Sequence, residues 1–297
     1  MQVALDVLGS QSHRCLVRTL WATLLACRLT GADAAPPYFD AEVSYVHDDN
    51  LGRAARGRDT VDDDALLARG GVNWLAPLSA QSGLRAGLGA SYQRQARWSD
   101  LSRAEVQGDL VFRHKPFATY AGPWFEVALA GAVSQFQDSA LRDGGRVSSE
   151  FATGSALTDS LALRLGYRYT LQRAWREAVF DGDQHRVYLN VDARVAEMTV
   201  YGTVGWQHGD VVSVSGDGAL PRDSAIAQAA DPAFSDGRHP RTAYRLEADT
   251  WTAAAGFNLP LAAGLAFDAS VGWFDADADA GARYRGWRVM AGLLFRR

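Results

Sequence analysis

From Phe39 onward the chain reads as short runs in which apolar and polar residues alternate, each run closed by turn residues. "FDAEVSYV" puts Phe39, Ala41, Val43 and Tyr45 on one face. "LLARGGVNW" sets Leu66, Ala68, Val72 and Trp74 against Arg69 and Asn73, and "LRAGLGASY" aligns Leu84, Ala86, Leu88, Ala90 and Tyr92. "RAEVQGDLVF" opposes Ala104, Val106, Leu110 and Phe112 to Arg103, Glu105, Gln107 and Asp109. "FEVALAGAV" is the fifth run, and "SSEFATGSAL" the sixth and weakest. In "LALRLGYRYTLQR" every second residue from Leu161 to Leu171 is Leu or Tyr, with Arg164 and Arg168 between them.

"HRVYLNVDARV" repeats the pattern with Val187, Leu189, Val191, Ala193 and Val195 against Arg186, Asn190, Asp192 and Arg194. "TVYGTVGWQ" is the ninth run. In the tenth, "YRLEADTWTAAAGF", the apolar parity changes from Tyr244 and Leu246 to Trp251, Ala253 and Phe257, which predicts a bulge. "LAFDASVGW" and "WRVMAGLLF" complete about twelve strands, and period-3.6 patterning is missing after the N-terminal region.

The links alternate in length. "PLSAQSG", "HKPFATYAGP", "LTDS", "AEM" and "LPLAAG" follow the even strands. "LGRAARGRDTVDD", "QDSALRDGGR" and "RAWREAVFDGD" follow odd ones, and the longest link runs from about Gly209 to Arg241. An up-and-down barrel in an outer membrane has this arrangement of short periplasmic turns and longer outer loops; a sandwich has no reason for it. Trp74, Tyr92, Phe125, Tyr167, Tyr169, Trp273 and Trp287 fall near the ends of apolar faces, where girdles at the two membrane interfaces belong.

A soluble, lipocalin-like can would place the leucines inside and the arginines in water without penalty. In a membrane the greasy face must point out, since each arginine turned into lipid costs about 2–4 kcal/mol at mid-depth. The nearly charge-free parity of each strand, about nine residues long, matches what a tilted strand needs to cross. The expected fold is therefore all-β: an up-and-down antiparallel transmembrane barrel of about twelve strands, residues 35–297, with both termini periplasmic.

Composition narrows the alternatives. The 297 residues carry a net charge of −4 and a single lysine, Lys115, so no basic patch supports nucleic-acid binding. No apolar run is long enough for a helical span. Arg14 and Arg18 precede "TLWATLLACRL", and Ala32-Asp33-Ala34 fits a small-x-small cleavage site, so residues 1–34 read as a signal peptide cut after Ala34, with Ala35 second. "LLAC", up to Cys27, also resembles a lipoprotein box. Cys15 and Cys27, the only cysteines, lie in this region, which leaves the exported part without disulfides.

The inward parity holds Arg69, Arg85, Arg103, Arg113, Arg164, Arg168, Arg186, Arg194, Arg245 and Arg288 against Glu42, Glu105, Asp109, Glu126, Asp192, Glu247 and Asp268. Two readings stay open: a lumen filled by mutually satisfied ion pairs, or a narrow watery pore whose arginines guide anions. His208 and Asp210, with His47, Asp48 and Asp49, are expected near the outer rim, where a hydrolase reading would need a nucleophile, a base and an orienting group in contact. The run Asp62-Asp63-Asp64, with Asp48 and Asp49, is a solvated acidic rim or a divalent-cation site that could bridge lipopolysaccharide phosphates. No motif implies a cofactor.

"WRVMAGLLFRR" resembles the terminal strand of Gram-negative outer-membrane proteins, whose final aromatic, here Phe295, is recognised by the barrel-assembly machinery; Arg296 and Arg297 after it depart from that pattern. "YFDAEVSYVHDDNL" and "DVVSVSG…DPAF…YRLEADT" are similar to an uncharacterised group of exported outer-membrane barrels. The resemblance implies the outer membrane as location, with lipid, lipopolysaccharide and the assembly machinery as partners, and brings no activity with it. The expected function is a narrow porin-like channel for small polar or anionic solutes. The alternatives are a non-conducting barrel that binds through its long outer loop, and a barrel hydrolase.

Overall fold

The structure is a computed structural model that describes residues 36–55, 57–117, 119, 121–216, 226–234 and 241–297. The expected signal peptide and both cysteines lie outside the described residues, as do 217–225 and 235–240 of the long link. The described strands are β1 (Tyr38–Asp48), β2 (Asp63–Pro77), β3 (Ser82–Gln95), β4 (Arg103–His114), β5 (Trp124–Phe136), β6 (Gly144–Ala156), β7 (Leu161–Ala174), β8 (Gly182–Val195), β9 (Met198–Gly216), β10 (Gln228–Ala230), β11 (Arg241–Ala262), β12 (Leu265–Ala278) and β13 (Ala282–Arg296). Each long strand pairs antiparallel with its neighbours in sequence; β1 pairs with β13, and β9 with β11. The sheet therefore closes into a twelve-stranded barrel, with β10 as an extra short strand on β11.

Closure matters because hydrocarbon offers no partner to an unpaired backbone group. The seam is pinned at its lower end, where Phe39 and Arg297 exchange both backbone hydrogen bonds (2.7 and 2.9 Å). The lower links are 78–81, 115–123, 157–160, 196–197 and 263–264. The upper ones are 49–62, 96–102, 137–143, 175–181, 217–240 and 279–281. The alternation is looser than the sequence suggests, because 115–123 is long and 279–281 short. Strand pairing also absorbs part of the expected loops: β6 begins at Gly144, β7 runs to Ala174, and β9 continues to Gly216.

Side-chain parity holds around the ring. Val43, Leu66, Leu88, Val106, Leu129, Val147, Leu165, Leu189, Val204, Val271 and Leu293 all face outward and are exposed. Two aromatic bands border this belt. Tyr45, Tyr92, Tyr167, Tyr169, Trp206, Trp251, Trp273 and Trp287 lie toward the upper end; Phe39, Trp74, Phe112, Phe125, Phe257, Phe267 and Phe295 lie toward the lower end. From Trp287 to Phe295 the strand covers about 27 Å at ~3.4 Å per residue. A tilt of ~40° reduces that to roughly 21 Å of height, close to an outer-membrane hydrocarbon band. Charged outward side chains begin just above the upper aromatics: Asp64 accepts from the Tyr45 hydroxyl (2.5 Å) and lies 2.8 Å from His47 Nδ1, and Arg283 is 2.6 Å from Asp275.

The expected bulge near the start of the tenth strand is not there. The β9–β11 register runs without interruption from Arg241↔Gly216 to Asn258↔Thr199. The parity change has another cause: the upper part of this hairpin leaves lipid. β8 stops pairing at Gln184↔Gly209, so residues beyond Gly209 in β9 pair only with β11. There the inward residues Tyr244 and Leu246 are buried with Ala248, Ala276, Ala278 and Tyr284, so apolar side chains belong inside. A register irregularity does occur in β11, at its other end, between Pro260 and Ala262.

The outward face predicts a sharp asymmetry. Leu165→Arg, pointing into lipid, should lower unfolding free energy by about 2–4 kcal/mol in denaturant titrations of vesicle-folded protein. Gln107→Arg, pointing into the lumen, should change it by under ~1 kcal/mol. Equal losses at the two positions would contradict the assigned faces.

Candidate functional site

The lumen is built from alternate residues whose partners sit across the strands. Arg69 reaches Glu42 (2.5 Å), and Arg85 bridges to Asp109 (2.7 Å) while donating to Asn73 (2.8 Å), which in turn donates to Asp40 (2.6 Å). Arg146 and Ser134 converge on Glu105 at 3.1 and 2.7 Å. Asp268 accepts from the Tyr201 hydroxyl (2.8 Å).

The densest group spans β4 to β8. Glu126 takes Arg113 (2.7 Å) and Arg164 (2.7 Å); Glu150 takes Arg164 (2.5 Å), Arg168 Nε (2.6 Å) and the Tyr188 hydroxyl (2.6 Å). Tyr188 can lie over β7 only because residue 166 is glycine; a Cβ there would overlap the phenol ring. Both carboxylates are nearly buried, whereas their arginines stay partly exposed to the lumen. That geometry offsets the desolvation cost of Glu126 and Glu150 with several charged donors each.

Two cavities lie along this surface. The upper one, about 680 Å³, is lined by Arg146, Glu150, Arg164, Arg168, Arg186 and Gln207, among others. The lower one, about 590 Å³, is lined by Asp40, Glu42, Arg69, Asn73 and Arg296, among others. Both include Arg85, Gln107 and Asp109, so the Arg85–Asp109 pair stands between them.

A cap covers the upper end. Val61 from the β1–β2 link, Leu101 from β3–β4, Val179 and Phe180 from β7–β8, and Ala233 and Phe234 between β10 and β11 form one buried cluster with Val214 and Ala243. Leu141, from the β5–β6 link, packs against it. Links on opposite sides of a twelve-stranded ring can share one cluster only by meeting over the mouth. Arg142 crosses this cluster to pair with the fully buried Asp231. Its guanidinium lies 4.3 Å above the Phe180 ring and 5.5 Å above that of Phe234. Burial pulls Arg142 below its ordinary pKa, and the Asp231 charge opposes that pull.

The structure locates the residues singled out in the sequence. Arg69, Arg85, Arg113, Arg164, Arg168, Glu42, Glu105, Asp109, Glu126 and Asp268 hold the inward contacts just described. Arg103, Arg186 and Arg288 also face inward, but have no carboxylate within 4 Å among the described residues. Asp192 and Arg194 keep the lumen parity but are exposed near the lower end of β8. Glu247 is a correction: it is exposed on the outer side, 2.8 Å from His208 Nε2, because the uninterrupted β11 register gives it the parity of Trp251. Arg245 has the parity of Glu247 rather than the inward one expected, and it sits at the mouth, where the hairpin has left the wall, donating to the carbonyls of Ala178 and Asp181. Trp74, Tyr92, Phe125, Tyr167, Tyr169, Trp273, Trp287 and Phe295 all point outward.

The rim residues do not converge. His208 lies between Glu247 and Asp249, Asp210 faces Arg245 (3.7 Å), His47 meets Asp64, and Asp48 meets Arg53. Asp62 pairs with Arg97, and Asp63 accepts the backbone N–H groups of Arg97 and Trp98. Among the described residues no three His, Cys, Asp or Glu side chains are grouped to hold a metal. Glu150, Arg146 and Tyr188 escaped the sequence reading. Glu150 is nevertheless visible as the polar neighbour of outward Phe151 in the weakest run. The cap residues follow no period, so patterning alone does not find them.

Removing the shared acceptor separates inside from outside. Glu150→Gln should lower unfolding free energy by roughly 2 kcal/mol, less than in a dry core because Arg164 and Arg168 still touch lumen water. Glu247→Gln should stay within about 0.5 kcal/mol. Chemical denaturation in vesicles measures both, and a larger loss at Glu247 would reverse the assignment.

No protein-family model and no curated protein matches the chain. Among solved structures it is similar to the COG4313 outer membrane channel from Pseudomonas putida F1, with a TM-score of 0.55 and 10% identity over 90% of this chain and 99% of that one. Other similar structures are a KdgM porin (TM-score 0.37, 11% identity, 86% and 98% covered) and LpxR from Salmonella typhimurium (TM-score 0.40, 8% identity, 86% and 99% covered). The likeness at TM-score 0.55 concerns architecture: the chain has the fold of a Gram-negative outer-membrane β-barrel.

Proposed function

We propose that this barrel is a narrow, gated channel for small polar or anionic solutes, closed at its outer mouth in the present conformation. The observation that carries the reading is the pair of lumen cavities, about 680 and 590 Å³, that meet at Arg85, Gln107 and Asp109. A lumen that served only as packing would fill this space with side chains. Here it is lined by guanidiniums, carboxylates, amides and hydroxyls, the groups that replace the hydration shell of a polar solute. Arg164 and Arg168 lie along the route, part-exposed and held in place by Glu126 and Glu150.

Conduction requires the cap to move. Phe234 and the Arg142–Asp231 pair are where the upper links meet, so loosening them is the simplest way to open the mouth. The same cap favours a second reading, a non-conducting barrel whose upper surface binds a partner. A hydrolase finds no support in the rim histidines, since His47 and His208 hold separate carboxylates on the outer side.

Single-channel recording in planar bilayers distinguishes the two. The wild-type protein should show rare openings, and Arg142→Ala or Phe234→Ala should raise open probability about tenfold, the effect of losing ~1.4 kcal/mol of closed-state stabilisation. Replacing Arg164 and Arg168 together with Ala should reduce anion selectivity. If none of these proteins passes current at any voltage, the channel reading fails and the non-conducting one replaces it.

A further inference from the structure

Arg168 and Arg186 are direct cross-strand partners, both facing the upper cavity. Like charges directly opposite each other repel. Arg168 is neutralised in part by Glu150, but Glu150 is already shared with Arg164 and the Tyr188 hydroxyl. Arg113, Arg164 and Arg168 share Glu126 and Glu150, and Arg186 stands beside them, so this group holds two more guanidiniums than carboxylates, although the upper cavity as a whole is lined by five of each.

Arg186 is the member left over. No carboxylate lies within 4 Å of it among the described residues, and its Nε is buried without a hydrogen-bond partner. Its one hydrogen bond among the described residues is long, 3.4 Å from Nη2 to the Thr252 hydroxyl, and its guanidinium carbon lies 5.8 Å from the centre of the Tyr188 ring. Residue 205 is glycine, and a Cβ there would stand 3.2 Å from Arg186 Nε and 2.9 Å from the Thr252 hydroxyl. The guanidinium thus lies close against the β9 backbone with its Nε donor unfilled. The acidic groups higher in the cavity are engaged elsewhere: Asp181 accepts the Ala174 N–H, and Asp210 accepts the Asp183 N–H beside Arg245. Gln172, Gln184, Gln207 and Thr170 complete the polar lining nearby.

We propose that Arg186, with Arg168 opposite, forms a binding subsite for a small oxyanion, the carboxylate or phosphate group of a solute held in the upper cavity. The anion would take up the unfilled Nε donor of Arg186 and relieve the repulsion between the two guanidiniums, with the amides around it holding neutral parts of the solute. The proposal rests on the channel reading for its biological sense and stands apart from it in the test.

The test is titration calorimetry on the folded protein in zwitterionic detergent, with inorganic phosphate and acetate as probes and acetamide as the uncharged isostere of acetate. Wild type should bind at least one of the two anions and not acetamide; which anion binds identifies the chemistry. Arg186→Gln should weaken that binding about tenfold or more. Arg186→Lys, which keeps the charge, should recover part of it, and Arg97→Gln, on the outer rim, should leave it unchanged. A shift in electrophoretic mobility on heating verifies that each variant is folded. Absence of anion binding to wild type, or wild-type affinity in folded Arg186→Gln, overturns the subsite. A protein that conducts without binding anions keeps the channel and loses the subsite, and one that binds anions without conducting does the reverse.

Discussion

Backbone hydrogen bonding in hydrocarbon is the constraint on which this structure depends. A strand in lipid has no water to satisfy its amide and carbonyl groups, so every edge must be paired. The chain meets that demand by closing β1 on β13 and β9 on β11. Once the ring is closed, a strict parity follows. Leu, Val and aromatic side chains take the lipid side, and everything charged is confined to the lumen or to the rims. The exception is informative: above Gly209 the β9–β11 hairpin leaves the wall, its inner face turns apolar, and Tyr244, Leu246 and Tyr284 are buried together.

Confinement of charge then shapes the lumen. Arginines outnumber carboxylates around β4 to β8, and two of the three buried glutamates there, Glu126 and Glu150, each hold more than one guanidinium. Such sharing offsets the water that Glu126 and Glu150 lose in the wall, since each gains several charge-assisted hydrogen bonds. It also leaves Arg186 without a carboxylate within 4 Å among the described residues, a local point of positive charge on the cavity wall. The cap works against free passage: it joins five of the six upper links through Phe234, Phe180 and the buried Arg142–Asp231 pair. Polar cavities beneath a largely apolar lid are the feature on which the proposed gated channel rests.

The wall of this molecule was legible in the sequence because a barrel wall is a period-2 object. Leu161 to Leu171 show it plainly, and Arg164 and Arg168 stand on the face that the leucines leave. Tertiary structure overrode the local pattern in two places. The change of apolar parity between Leu246 and Trp251 resembles a bulge, but it records a change of surroundings: Trp251 faces lipid, whereas Leu246 packs inside against β12 and β13. Glu247 was misplaced with it, since its parity was counted from the wrong end. The specific partners, such as Glu150 with Arg164, Arg168 and Tyr188, depend on strand register, which alternation alone leaves undetermined by steps of two residues. The cap was illegible because Val61, Leu101, Val179 and Phe234 come from separate links that share no period and are far apart in the chain.

The central claim is that the apolar parity touches acyl chains and the charged parity does not. Adjacent residues in β9 test it most directly, since Val204 faces outward and Thr203 inward. With a single spin label at each position of the vesicle-reconstituted protein, the account predicts relaxation by oxygen at 204 and by a water-soluble nickel complex at 203. Access of the nickel complex to position 204, or oxygen-dominated relaxation at 203, would contradict it.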